Sequence, residues 1–240
     1  MKTKKISFPQ ESSLSGRRTF LKKSLIIGTG AGISTVYLTG CSKEAGEEVT
    51  PAEDLMREHG LLNRVLLIYD HIRKQLVEKG QFPNDALKES AGIIRSFIED
   101  YHEKLEEDFL FPRFEEAGML TDLVAVLKKQ HDAGRNLTDQ IIGMTEPGNA
   151  GNPEELQKLA SLLDRFNYMY RPHEAREDTV LFPAIRDIIK GRYYLELGEQ
   201  FEDKEHELFG EKGFEGMVEK VAGIEKRLGI YDLILFTPVV

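Results

Sequence analysis

HEKLEEDFLFP at residues 102–112 and HEAREDTVLFP at residues 173–183 are one pattern written twice. Each has His-Glu, a Glu four residues after the His, an acidic residue next, and Leu-Phe-Pro at the same offset. His102 pairs with His173, Glu103 with Glu174, Glu106 with Glu177, and Pro112 with Pro183. The echo extends upstream, since His59 precedes His102 by 43 residues and His131 precedes His173 by 42. On a helix, residues i and i+4 share a face. The pattern therefore predicts two similar helical halves that turn imidazoles and carboxylates toward a common site.

Apolar spacing extends this reading to most of the chain. Leu61, Leu62, Val65, Leu66, Ile68, Tyr69, Ile72 and Leu76 form one stripe of a first helix over 53–79, ended by Lys79-Gly80. A second helix spans 84–117, opened by Pro83-Asn84-Asp85 and stopped by Gly118. A third covers 119–145, and a fourth 154–190 follows the Gly- and Pro-rich segment 146–153. Further helix is expected over 192–228, with an apolar tail from Ile234 that packs on the rest. No strand is expected. The class is all-α: an up-down-up-down four-helix bundle over 53–190 with a C-terminal helical extension, 191–240. Pro112, Pro172 and Pro183 fall inside these helices and are expected to kink or end them.

Helix lengths test whether the histidines meet. His59 lies about 30 Å before the first turn and His102 about 27 Å after it, at about 1.5 Å per residue. The third and fourth helices bring His131 and His173 to a similar level. Buried imidazoles and carboxylates without partners are costly, and a pair of metal ions satisfies them. Candidate ligands are His59, His102, Glu106, His131, His173 and Glu177, with Glu106 and Glu177 bridging; Glu103 is a further candidate. His71 is about 18 Å along the first helix from His59 and is not expected to ligate. His206, beyond the fourth helix, reads as a surface residue.

Composition narrows the alternatives. The chain has 240 residues, net charge −9 and a single cysteine. The charge argues against a nucleic-acid partner. One cysteine excludes an internal disulfide and all-cysteine zinc or iron–sulfur sites. Iron suits the donor set, and Mn and Zn accept the same donors.

The first 41 residues read as a targeting segment. Ser15-Gly16-Arg17-Arg18-Thr19-Phe20-Leu21-Lys22-Lys23 precedes a short Gly-containing apolar run, and resembles a twin-arginine export signal. Leu38-Thr39-Gly40-Cys41 resembles a lipobox, in which Cys41 carries the lipid. Removing residues 1–41 deletes seven Lys/Arg and one acid, leaving a more acidic body behind the polar linker 42–52. Localisation in the periplasm or cell envelope is expected, with membrane contact through the lipid anchor alone.

The order His59, His102-x₃-Glu106, His131, His173-x₃-Glu177 resembles the hemerythrin-like, or HHE cation-binding, domain over about residues 53–190. That resemblance implies a four-helix bundle holding a non-haem di-iron centre bridged by two carboxylates. The oxygen-carrying hemerythrins have HxxxH on the third helix, where this chain reaches Arg135. They have HxxxxD on the fourth, whose place His173-x₃-Glu177 takes in this reading. In this reading one His is missing and a Glu replaces an Asp; an extra carboxylate makes the site harder and more anionic, which favours the ferric state and disfavours simple O₂ carriage. The implied ligand is a small diatomic or peroxide. Three functions stay open: a protein binding or sensing O₂, NO or peroxide or handling iron, a di-iron peroxidase or oxidase, and a metal-stabilised adaptor of the cell envelope. The oligomeric state is not legible.

Overall fold

A computed structural model describes residues 49–149 and 151–238. The signal-like segment, including Cys41, and the last two residues of the tail lie outside the described residues. The protein is all-helical, with no strand among the described residues. Helix α1 is Pro51–Lys79. Helix α2 runs without a break over 84–117, and α3 is Thr121–Thr145. Helix α4 spans 153–188. Two further helices, α5 (Arg192–Phe209) and α6 (Gly213–Leu228), replace the single C-terminal segment expected from sequence.

The starts of α1 and α4 are built alike. Thr50 and Asn152 each accept the backbone N–H of a Glu three residues on, and that Glu reaches back to the cap. Each capping box is followed by Pro at the first helical position, where no N–H is needed. Gly118 ends α2 at φ +64°, a left-handed conformation that glycine adopts at little cost.

Helix α1 packs against α2 and α4, and α3 packs against the same two. Leu62, Val65, Tyr69, Phe97, Leu127, Leu163 and Phe166 are buried between them. Helices α5 and α6 lie on α1, and α6 also reaches α2. Phe209 and Phe214 bring their rings to 5.3 and 6.2 Å from Phe97. Arg64 Nε donates to Glu225 Oε1 at 3.0 Å, joining α1 to α6. The apolar tail does not pack as expected: Leu233 is 80% exposed and Ile234 65%. It forms a single short turn, Leu233–Phe236, too brief to present a continuous apolar face.

The internal prolines neither end nor break the helices. Helix α2 widens into π-helical turns at Ile94–His102 and Glu106–Leu110, and α4 does so at Glu177–Leu181. The last two occupy matching positions of the sequence repeat. A helical proline removes one N–H and clashes with the carbonyl four residues back. At Pro112 and Pro183 the strain is met by widening the preceding turn. The N–H groups of Phe111 and Phe182 bond the carbonyls of Glu106 and Glu177, five residues back. Such turns occur often at functional sites because they re-aim side chains without ending the helix. Here they begin at the two glutamates of the motif.

Candidate metal centre

The four helices bring four imidazoles and two carboxylates into one buried cluster. His59, His102, Glu106, His131, His173 and Glu177 are all buried, with Glu106, Glu177 and His131 at zero exposure. The rings form two pairs, His59 with His102 at 4.7 Å between centroids and His131 with His173 at 5.1 Å. Within the first pair the two Nε2 atoms are 3.1 Å apart. Glu177 spans the pairs: its Oε2 is 3.3 Å from His59 Nε2 and 3.1 Å from His173 Nε2. Glu106 Oε2 lies 3.3 Å from His131 Nε2. One atom each from His131, His173 and Glu177 falls within a 4.8 Å group, a spread suited to a metal ion.

The outer face of each ring is held by the neighbouring helix. His59 Nδ1–H on α1 donates to Asp178 Oδ1 on α4 at 2.7 Å. His102 Nδ1–H on α2 donates to Glu58 Oε2 on α1 at 2.6 Å. His131 on α3 donates to Glu107 on α2 at 3.1 Å, and His173 on α4 to Gln130 on α3 at 2.9 Å. The acceptors therefore form a closed cycle around the four helices. They also obey the repeat, since Glu58 and Gln130 each precede a histidine, while Glu107 and Asp178 each follow a central glutamate. An acceptor at Nδ1 puts the proton there and leaves the Nε2 lone pair facing inward, as in metal-ligating histidines. The Phe of each Leu-Phe-Pro joins this support. Phe111 stacks on His131 at 5.5 Å and Phe182 on His59 at 5.3 Å.

The inward groups are short of partners. Both oxygens of Glu106, both of Glu177, and His131 Nε2 are buried without a hydrogen bond. Orphaned buried acceptors of this kind are rare and costly. Burial and the charge of Glu177 push Glu106 up. Burial also acts to raise Glu177, but His173 and His59 outweigh it and hold Glu177 low. For His131, burial lowers the pKa, yet Glu106 and Glu107 carry it up to about 10. His59 is likewise raised against burial, by Asp178 and Glu177. His102 falls to about 4, chiefly through burial. The cluster thus stabilises positive charge at its middle, and its donor set, imidazole nitrogen with carboxylate oxygen, fits transition-metal cations.

Glu103 does not face this middle. Its Oε1 accepts from the Tyr170 hydroxyl at 2.7 Å, and Arg135 Nη2 lies 2.8 Å from Oε2. Its nearest approach to His131 is 4.0 Å, on the Nδ1 side. Arg135 also donates to Glu107 at 2.7 Å, so a guanidinium already serves this second group of carboxylates. Tyr170 reaches Glu103 by passing over Gly134 of α3. A Cβ at Gly134 would stand 2.0 Å from the Tyr170 hydroxyl oxygen. Gly134→Ala is expected to displace Tyr170 and cost about 1–3 kcal/mol, the range for overpacked cores. Urea denaturation measures this, and an unchanged midpoint would show that α3 yields freely. His71 lies away from the cluster, its Nε2 2.8 Å from Gln75 Nε2. His206 is exposed on α5.

The Asp of an HxxxxD spacing is present after all: counting from His173, the fifth residue is Asp178. The π-helical turn starting at Glu177 sends Glu177 to the middle and Asp178 to the back of His59. Both residues take part, and the fourth helix does not lack that aspartate.

Comparison with known proteins agrees with this geometry. Residues 50–152 match the hemerythrin HHE cation binding domain, a span containing His59, His102, Glu106 and His131. Similar relatives include Uncharacterized protein Rv1995 of Mycobacterium tuberculosis and Uncharacterized protein Mb2018 of Mycobacterium bovis. Each is 46% identical over 237 residues, covering 93% of this chain and 91% of the relative. No solved structure matches the chain. The family match gives the chain a hemerythrin HHE cation-binding domain over residues 50–152, whose His59, His102, Glu106 and His131 join His173 and Glu177 of α4 in the buried cluster.

Proposed function

We propose that the protein holds a carboxylate-bridged pair of iron ions and uses it to bind or sense O₂, NO or peroxide, or to handle iron itself. The observation that carries this reading is the cluster of inward Nε2 atoms around two glutamates whose oxygens are buried and unbonded. His59 and His102 would hold one ion, His131 and His173 the other, with Glu106 and Glu177 between them. Glu103 belongs to the supporting shell, with Tyr170 and Arg135. Bound iron would supply the redox and ligand-binding chemistry. The residues set the conditions: the Nδ1 acceptors fix the ring tautomers, the phenylalanines fix the ring planes, and burial excludes water. Residues 53–190 are read as an up-down-up-down four-helix bundle, supported by the cycle of neighbouring helix contacts. Residues 191–240 are read as a C-terminal extension, supported by α5 and α6 lying on α1 and by α6 reaching α2.

Export through a twin-arginine-type pathway and lipid attachment at Cys41 complete this reading, on the motifs of the first 41 residues. The test is metal content and spectrum. Protein purified from iron-replete cells is expected to carry about two iron ions per chain, and its absorption is expected to change when azide enters an open position. Protein with no metal, or with zinc alone after growth in ample iron, would overturn the proposal. Turnover of peroxide with a reductant would move the assignment to a di-iron peroxidase. Iron unresponsive to azide would move it to a metal-stabilised adaptor.

A further inference from the structure

A second group of carboxylates lies outside that donor set. One oxygen each from Asp54, Glu58 and Glu205 falls within 4.8 Å of the others, where the start of α1 meets α5. Glu58 is buried, while Asp54 and Glu205 are half-buried. Crowding anions in this way is costly. Burial, then the charge of Glu58, pushes Asp54 up to about 7. Burial also brings Glu205 to about 7, with Asp54 adding to it.

The relief within the protein is partial. Arg57 Nη1 donates to Asp54 Oδ1 at 3.0 Å, and the Phe214 N–H to Glu205 Oε1 at 3.0 Å. Glu58 Oε2 is taken by His102, but Glu58 Oε1 has no hydrogen-bond partner although the residue is 1% exposed. The Tyr101 hydroxyl, equally buried, sits beside Glu58 and feels Asp54 and Glu205 as well. It too makes no hydrogen bond of ordinary geometry. The backbone is shaped to admit this arrangement. Gly213, at φ +40°, leaves room for Glu205, whose Oε1 would stand 1.8 Å from a Cβ there.

We propose that Asp54, Glu58 and Glu205, with the Tyr101 hydroxyl beside them, form a separate site for a hard divalent cation. An all-oxygen donor set suits Mn²⁺, Mg²⁺ or Ca²⁺ over metals that seek imidazole. The partial exposure of Asp54 and Glu205 gives an ion a route in and room for retained waters. The site shares no donor atom with the histidine centre and does not depend on what that centre binds. The two touch only through Glu58, one oxygen of which fixes His102.

The test is Mn²⁺ titration of the iron-loaded full chain, with free Mn²⁺ read by electron paramagnetic resonance. Wild type is expected to take up about one more Mn²⁺ per chain than Glu205→Gln, and Asp54→Asn to bind it roughly tenfold more weakly. Glu205→Gln keeps an oxygen for the Phe214 N–H, and thermal melts check that both variants fold. Manganese exchanging into the iron centre would be common to all three proteins and cancels in the comparison. Equal uptake by wild type and Glu205→Gln, or an unchanged Mn²⁺ affinity in Asp54→Asn, overturns the site. Iron content, measured on the same samples, reports separately on the histidine centre.

Discussion

Glu177→Gln is expected to strip metal from the protein and to lower its melting temperature by about 8–16 °C under metal-replete conditions. The substitution preserves shape and removes one charge at the point where both histidine pairs meet. Glu177 Oε2 is the carboxylate oxygen closest to His59 Nε2 and His173 Nε2 at once. A ligand that binds only the folded state adds about 4 kcal/mol at a thousandfold excess over its dissociation constant. For a helical body of this size, each kcal/mol moves the midpoint by about 2–4 °C. The chelated proteins provide the control. Without metal, the wild-type advantage from ion binding disappears, so the gap between wild type and variant must shrink on chelation. A gap that chelation leaves unchanged would make Glu177 a structural residue and remove the central bridge of the proposed centre.

The six inward residues were legible because the sequence states them twice, and a helix offers one way to put His and Glu four apart on a common face. Their outer partners were not legible. A carboxylate next to a histidine reads the same whether it is solvated, as an isolated Glu58 would be, or turned across to His102 on the next helix. Only the packing of α1 against α2 decides this. The acidic residue following each central glutamate was visible in the repeat, but its role needed the π-helical turns. A register with 3.6 residues per turn does not say that Glu177 faces inward while Asp178 reaches the back of His59. Pro112 and Pro183 announced a disturbance there, and the sequence could not distinguish a kink from a widened turn. The C-terminal tail failed for a simpler reason. Apolar composition suggests burial, yet Leu233–Phe236 is a single short turn after α6 whose side chains stay exposed.

Arg135 marks the point where this chain leaves the pattern of the oxygen-carrying hemerythrins, and its environment gives the departure a physical reason. The guanidinium bridges Glu103 at 2.8 Å and Glu107 at 2.7 Å, and Glu107 in turn orients His131. Arg135→Met is expected to cost about 2–4 kcal/mol, somewhat below the usual penalty for orphaning a buried charge because the side chain is 21% exposed. Glu103, at 1% exposure, would keep only the Tyr170 hydroxyl. Adding Glu103→Gln removes the orphaned charge, so the double variant should recover part of the loss. Chemical denaturation of the four proteins in the cycle measures that coupling. Additive effects would mean that the ion pair contributes nothing specific. Metal content separates support from ligation: Arg135→Met leaves all four Nε2 atoms, Glu106 and Glu177 in place, so the protein is expected to retain its ions while binding them less tightly. Complete loss of metal with the fold intact would instead place Arg135 and its two carboxylates at the heart of the site.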